Sequence, residues 1–201
     1  MQFEPGNTYH IYNRGNNQQP IFFGRRNYLF FLKKIKKELT PHCEILAWCL
    51  MPNHFHLMAY YPDRQCLSSP PLANGMGVVQ PLNRAIAILL SSYTKAINKQ
   101  ERRTGSLFQQ KTKAKSLTGS ADPDYPFVCF HYIHQNPRRA RLVTQLEDWE
   151  FSSFRDYAGL RDGKLADKAL ASQLIDIPNQ AAAFYEQSYR VMGDDKVAGI
   201  F

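Results

Sequence analysis

The sequence has few cysteines and no long hydrophobic run. Its four cysteines, Cys43, Cys49, Cys66 and Cys129, form no C-x-x-C pair, and their spacing fits neither a zinc ribbon nor another common zinc site. No apolar stretch approaches the roughly 20 residues that cross a bilayer, so we expect no membrane anchor. The first residues carry neither the basic segment nor the apolar core of a secretory signal. These absences predict a cytoplasmic protein with buried, reduced thiols.

What is present is a globular composition with an excess of positive charge. Hydrophobic residues make up 44% of the 201 residues and charged residues 21%, which excludes wholesale disorder. The formal net charge is +8, and nearly all of the excess lies in the first hundred residues. A basic body of this size favours an anionic partner, and nucleic acid is the first candidate.

Hydrophobic periodicity predicts a β-α-β-β-α-β order that is followed by a third helix. The strands are predicted at 8–13, 43–51, 54–61 and 105–116, and the helices at 27–39, 82–99 and 124–136. We expect the third helix to end before Pro137. This order is that of the ferredoxin-like split βαβ fold, an α+β architecture with an antiparallel sheet and helices on one face.

Two segments lie outside this pattern. Residues 62–81 contain a Pro-Pro pair and closely spaced glycines, which predicts a mobile loop or insertion. Residues 160–201 are mostly helical in pattern and carry no chemical motif. We therefore divide the chain into a main domain over 1–159 and a helical C-terminal extension over 160–201, whose role the sequence does not indicate.

The tripeptide His54-Phe55-His56 is the most informative short motif. On a strand, residues i and i+2 point to the same face, so both imidazoles project together and Phe55 points away. Two imidazoles at this spacing can bind one divalent cation. The alternative is a pair of hydrogen-bonded histidines on a polar sheet face.

A second group of residues lies on the third predicted helix. Tyr132 and Asn136 are i and i+4, so they share one face of that helix. If the helix packs on the histidine face, Asn136 adds an oxygen ligand and the Tyr132 hydroxyl lies near the metal. A divalent cation can polarise a scissile phosphate, so these residues suggest metal-dependent phosphodiester chemistry. The alternative is that Tyr132 only packs and that Arg138, Arg139 and Arg141 form a solvated helix end.

Five sequence motifs resemble those of single-tyrosine HUH transposases. Residues 50–57, LMPNHFHL, resemble the histidine–hydrophobe–histidine motif, and residues 132–137, YIHQNP, resemble the nucleophile helix. Residues 9–15, 105–109 and 148–153 read YHIYNRG, GSLFQ and DWEFSS, and they look like further markers of the REP-associated tyrosine transposase branch. The motifs occur in the expected order and cover about residues 5–158.

The resemblance implies a specific chemistry on a ferredoxin-like catalytic domain. His54, His56 and Asn136 would bind Mg²⁺ or Mn²⁺, and Tyr132 would attack a DNA phosphodiester to form a 5′-phosphotyrosine and release a 3′-hydroxyl. The implied substrate is single-stranded DNA whose palindromic repeats fold into hairpins. We expect the protein to be a monomer or a homodimer and to have no membrane partner.

Basic side chains near these motifs are the candidate DNA contacts. They are Arg14, Arg102, Arg103, Lys111, Lys113, Lys115, Arg138, Arg139 and Arg141. The lysine-rich segment after Gln109 differs from the corresponding segment of the family that the motifs resemble, whose members commonly carry an aromatic residue and an arginine there. Two other hypotheses stay open at this point: a non-catalytic nucleic-acid-binding module on the same fold, and a metal-dependent hydrolase that uses water.

Overall fold

The computed structural model describes residues 1–63, 73–74, 77–78, 80–119 and 122–190. Its strands are β1 (Asn7–Arg14), β2 (Glu44–Met51), β3 (His54–Tyr61), β4 (Ala73–Asn74), β5 (Gly77–Val78) and β6 (Lys113–Ser116). The four longer strands form an antiparallel sheet in the order β2-β3-β1-β6. Each β-α-β crossover therefore skips one strand, as the split βαβ fold requires. The predicted fold class is confirmed.

The helices follow the predicted order. They are α1 (Arg25–Lys34), which continues as a π-helical turn over Ile35–Leu39, α2 (Pro81–Gln100), α3 (Tyr125–Arg139), α4 (Phe154–Tyr157), α5 (Lys168–Leu174) and α6 (Ala181–Arg190). The π-helical turn ends at Leu39, and Thr40 still has helical backbone angles. Pro41 follows, and it has no N–H with which to extend the helix. In the described part of the chain, no helix combines the length and apolar character needed to cross a membrane.

The two faces of the sheet are covered by different helices. Alternation along β3 places Phe55 on one face and both His54 and His56 on the other. On the Phe55 face, the Phe31 ring of α1 lies 5.3 Å from the Phe55 ring, and α2 packs beside α1. On the histidine face, the Tyr132 ring of α3 lies 5.6 Å from the His56 ring. The helices that the split βαβ fold places on one face are thus α1 and α2, which cover the Phe55 face. The third helix, α3, covers the histidine face.

The strand predicted over 105–116 is wrong in its first part. Only Lys113–Ser116 pairs with β1, and Phe108 makes an isolated bridge to Gly15. The side-chain amide of Asn13 donates to the Gln109 carbonyl oxygen at 3.1 Å and to the Thr112 hydroxyl at 2.9 Å. The bridge itself has backbone bonds, from the Gln109 N–H to the Arg14 carbonyl oxygen at 2.8 Å and from the Asn16 N–H to the Leu107 carbonyl oxygen at 3.0 Å. Between the bridge and Lys113, side-chain hydrogen bonds therefore take the place of ladder bonds.

The predicted end of α3 before Pro137 is also wrong, because the helix continues to Arg139. A proline inside a helix removes one backbone donor. The missing N–H of Pro137 is the one that would bond to the Ile133 carbonyl oxygen, and backbone bonds from residues beyond the proline still close the helix end. Ala140 N–H donates to the Asn136 carbonyl oxygen, and Leu142 N–H donates to the Pro137 carbonyl oxygen, both at 2.9 Å.

The C-terminal helices pack behind α3. Phe184 of α6 is fully buried, and its ring centroid lies 6.1 Å from that of Phe130 in α3 and 5.5 Å from that of Phe154 in α4. The helical character predicted after Gly159 is confirmed up to Arg190, and residues 191–201 lie outside the described residues. The domain boundary at 159 stays a prediction.

Two further predictions are covered only in part. Cys43, Cys49 and Cys129 are buried thiols, as predicted, whereas Cys66 lies outside the described residues. Most of the predicted loop at 62–81 also lies outside them. Within it, β4 and β5 form a two-residue antiparallel ladder.

Candidate active site on the histidine face of the sheet

The register between β1 and β3 assembles the floor of the candidate site. Arg14 is paired with His54, and Tyr12 is paired with His56. Residues paired directly across antiparallel strands point to the same face, and His10 follows on that face two residues before Tyr12. The sheet thus presents three histidines, a tyrosine and an arginine toward α3.

His54 is oriented by hydrogen bonds on both sides. Its Nδ1 lies 2.6 Å from the Oδ1 of Asn53, and the Asn136 side chain also hydrogen-bonds to the ring. Burial and the nearby Arg14 charge lower the pKa of His54 to about 4, although the bond to Asn136 opposes the shift. The ring is therefore neutral at pH 7, as a metal ligand must be.

His56 lies deeper and leaves one ring nitrogen without a partner. Its side chain is 2% exposed, and its Nδ1 lies 2.9 Å from the Nε2 of His10. Its Nε2 has no hydrogen-bond partner among the described residues. Burial, followed by the charges of His10, His54 and Arg14, holds the pKa of His56 well below its usual value.

Tyr132 and Asn136 close the site from α3. The Tyr132 ring is 3% exposed, and the Arg139 guanidinium carbon lies 6.0 Å from its centroid. The Asn136 amide nitrogen donates to the Tyr132 carbonyl oxygen at 2.9 Å, and the Asn136 side chain also hydrogen-bonds to the Tyr132 side chain. Burial raises the pKa of Tyr132 well above its usual value, while Asn136, Arg139 and Arg14 act in the opposite direction.

These residues fit a divalent cation. The Nε2 of His56 is a buried ring nitrogen without a partner in the described structure, and Asn136 brings an amide beside His54. The Nδ1 atom of each imidazole is held by a neighbour, as is usual for metal-ligating histidines. A nitrogen and oxygen set without thiolate is compatible with Mg²⁺ or Mn²⁺.

The described residues contain no cluster of three or more His, Cys, Asp or Glu side chains that could hold a metal ion. A cation bound at the histidine face would therefore depend on the side-chain oxygen of Asn136 as its third protein ligand.

Two basic clefts adjoin this group of residues. The first has a volume of about 290 Å³ and is lined by His54 and His56 together with Tyr12, Arg14, Lys111 and Lys113. The second has a volume of about 570 Å³ and lies at the end of α3, where Arg138, Arg139 and Arg141 line it. Arg139 links the second cleft to Tyr132, because its guanidinium also contacts the Tyr132 ring.

Three predicted DNA contacts line neither cleft. Arg102 and Arg103 follow α2, and the Arg103 guanidinium donates to the Gln19 Oε1 at 2.6 Å. The Lys115 ammonium lies 4.8 Å from the Tyr125 ring centroid. The structure therefore groups the other six predicted basic residues along the two clefts. Lys115 lines neither cleft, although its charge acts on His10, and Arg102 and Arg103 lie apart from the site.

His10 and Tyr12 belong to this site, and the sequence analysis included them in the YHIYNRG motif without giving either a role. Their rings stack with centroids 4.7 Å apart, and the His10 ring lies 6.3 Å from the Tyr132 ring. The available signal was the two-residue spacing of His10, Tyr12 and Arg14 in β1, which puts polar groups on one face of an otherwise apolar strand.

Comparison with known proteins supports the fold. No protein-family model matches the sequence, and no curated protein matches it. Among solved structures, the chain is similar to the REP-associated tyrosine transposase bound to a REP hairpin, with a TM-score of 0.55 and 20% sequence identity. The alignment covers 83% of this chain and 92% of that chain. The two proteins share a fold, and the similarity extends over most of both chains.

Proposed function

We propose that the protein is a metal-dependent enzyme that nicks and rejoins single-stranded DNA at hairpin-forming palindromic repeats, in the manner of a transposase. The observation that carries this proposal is the grouping of Tyr132 with His54, His56 and Asn136 on one face of the sheet. The choice of a DNA hairpin is supported by the hairpin-bound neighbour of the same fold. We expect a monomer or homodimer in the cytoplasm.

The proposed reaction is a transesterification at phosphorus. The Tyr132 Oη forms a bond to the phosphorus atom while the bond from phosphorus to the 3′-oxygen breaks. The phenol loses its proton and the departing 3′-oxygen gains one, so the products are a 5′-phosphotyrosine and a 3′-hydroxyl. The number of phosphoester bonds is unchanged. A 3′-hydroxyl can therefore reverse the reaction and rejoin the strand without an external energy source.

Each residue around Tyr132 has a role in this reaction, and Asn136 has two. His54, His56 and Asn136 would hold Mg²⁺ or Mn²⁺, which supplies Lewis-acid polarisation of the scissile phosphate when it is bound. Asn136 orients the phenol through its hydrogen bond to the Tyr132 side chain. The positive charges of Arg14 and Arg139 favour the deprotonated phenol, and they oppose the effect of burial on its pKa.

The two basic clefts provide a path for the DNA backbone on either side of the nucleophile. Arg14, Lys111 and Lys113 line the cleft beside the histidines, and the arginines at the end of α3 line the other. Guanidinium and ammonium groups bind phosphates through charge-assisted hydrogen bonds. We therefore place the scissile phosphate between the two clefts, next to Tyr132.

One observation favours a second candidate function, a non-catalytic nucleic-acid-binding module. Tyr132 is 3% exposed and burial raises its pKa, so in the free protein the phenol is covered and protonated. A module that only binds a hairpin would need the basic clefts and would not need a nucleophile. The intact set of Tyr132, His54, His56 and Asn136 favours the enzyme.

The test uses labelled single-stranded DNA that contains a stem-loop with short randomised flanks, incubated with Mn²⁺ and resolved under denaturing conditions. The wild type and Tyr125→Phe should cleave the DNA and form a denaturation-resistant adduct. Tyr132→Phe keeps the ring and should bind the hairpin without cleavage or adduct. Cleavage by Tyr132→Phe would instead indicate a water nucleophile. Hairpin binding without cleavage by the wild type would support the binding module.

A further inference from the structure

His10 is a buried histidine in the middle of β1 that contacts both parts of the candidate site. Its side chain is fully buried, and its Nε2 lies 2.9 Å from the Nδ1 of His56. Its ring stacks on Tyr12 and meets the Tyr132 ring edge-on. These contacts hold the His10 ring in one orientation, so its hydrogen bond to His56 has a defined geometry.

A hydrogen bond between two neutral imidazoles requires one donor and one acceptor. If the His56 Nδ1–H donates to His10, the Nε2 of His56 carries a lone pair. If the His10 Nε2–H donates instead, the Nε2 of His56 carries the proton and cannot bind a cation. The charged groups that act on these rings are Arg14 on His56 and Lys115 on His10, and both are positive. Neither favours a doubly protonated ring.

We infer that His10 is a positioning residue that accepts the Nδ1–H of His56, and thereby presents the Nε2 lone pair of His56 to a divalent cation at the histidine face. This inference rests on the proposed function, because it assigns a role toward the cation that the proposed reaction uses. An apolar residue at position 10 would leave the Nδ1–H of His56 buried without an acceptor, which is unfavourable. His56 would then lose both its preferred tautomer and its fixed orientation.

Two substitutions separate the acceptor from the ring. His10→Phe keeps a buried aromatic ring and removes the acceptor, whereas His10→Gln keeps a polar acceptor that can reach His56. The matched control is His131→Phe. His131 is also a buried histidine that hydrogen-bonds to one side chain, that of Gln187, and it lies on the face of α3 that packs against α6, away from the candidate site.

The first measurement is a titration with Mn²⁺, followed by the paramagnetic broadening of histidine ring signals. In the wild type, the His54 and His56 signals should broaden before that of His131. His10→Phe should bind Mn²⁺ about 10 to 100 times more weakly, while His10→Gln and His131→Phe should stay within a few-fold of the wild type. Equal binding by His10→Phe, or a loss in His10→Gln as large as in His10→Phe, would overturn the inference. Absence of site-specific broadening in the wild type would overturn the proposed metal site itself.

The second measurement needs no variant and holds even if His10→Phe fails to fold. Long-range proton–nitrogen correlation spectra of the wild type with saturating Mg²⁺ report which nitrogen of each ring carries the proton. We expect His56 to be protonated at Nδ1 and His10 to be unprotonated at Nε2. A proton on the Nε2 of His56 would contradict the assigned role of His10.

Discussion

Asn136 joins Tyr132 to His54 through a single side chain. Its amide nitrogen donates to the Tyr132 carbonyl oxygen at 2.9 Å, and the same side chain hydrogen-bonds to the Tyr132 side chain and to the His54 ring. The proposed nucleophile and a proposed metal ligand are therefore positioned by one residue. A change at Asn136 should affect both.

Asn136→Ala should reduce cleavage of a DNA hairpin by at least about 100-fold, because it removes a metal ligand and the group that orients the phenol. Hairpin binding measured without metal should stay unchanged, since Asn136 lines neither basic cleft. The matched control is Asn27→Ala, which removes a comparably buried amide that bonds to Gln100 in α2. Cleavage by Asn136→Ala at the rate of the Asn27→Ala control would exclude the assigned role.

Hairpin binding should depend strongly on salt, because phosphate contacts release counterions. If about five phosphates are contacted, affinity should fall by about two to three decades between 50 and 200 mM salt. Arg139→Gln and Lys113→Gln should each lower the slope of log affinity against log salt by about one. Lys37→Gln is the control, because Lys37 is exposed on the π-helical turn behind the sheet. A slope unchanged by the two cleft variants would mean that the DNA lies elsewhere.

The folded protein should lose stability as the pH falls from about 6.5 toward 4. Burial lowers the pKa of His131 to about 4 and that of His134 well below its usual value. The unfolded chain, with histidine pKa values near 6.5, therefore binds more protons than the folded chain in this range. Each such histidine contributes a slope of about 1.4 kcal/mol per pH unit.

Urea unfolding measured at several pH values checks this dependence. The free energy of unfolding should be highest above about pH 6.5. His131→Phe should reduce the slope of this free energy against pH, because about one proton fewer is then bound on unfolding. A free energy of unfolding that stays constant between pH 7 and pH 5 would contradict the neutral, buried state of these histidines.

Gly163→Ala should destabilise the fold by about 1 to 3 kcal/mol through overpacking. A Cβ atom at position 163 would lie 2.4 Å from the Oδ1 of Asp156. That carboxylate is 1% exposed and is held by the Arg161 guanidinium at 2.5 Å, so it cannot move away without breaking this partly buried ion pair. Gly24→Ala is the control, because a Cβ there meets no atom within 4 Å. Thermal unfolding of both variants should separate the two glycines.

Local periodicity was sufficient to predict the elements that carry the site. Two-residue alternation placed His54 and His56 on one face of β3, and the four-residue spacing of Tyr132 and Asn136 placed them on one face of α3. Both follow from backbone geometry that neighbouring residues impose. The same reasoning did not predict that α3 continues past Pro137, because the bonds that close the helix end come from residues beyond the proline.

The sequence by itself determined the βαββαβ order, the hairpin that carries the histidine pair and the basic character of the surface. Only the tertiary structure decided that His10 contacts His56, that six basic residues line two clefts beside Tyr132, and that Phe184 packs behind α3. The residue spacings within each motif follow from local backbone geometry. The contacts join residues far apart in the chain, and which of them form depends on how the sheet, α3 and the C-terminal helices bury their apolar faces together.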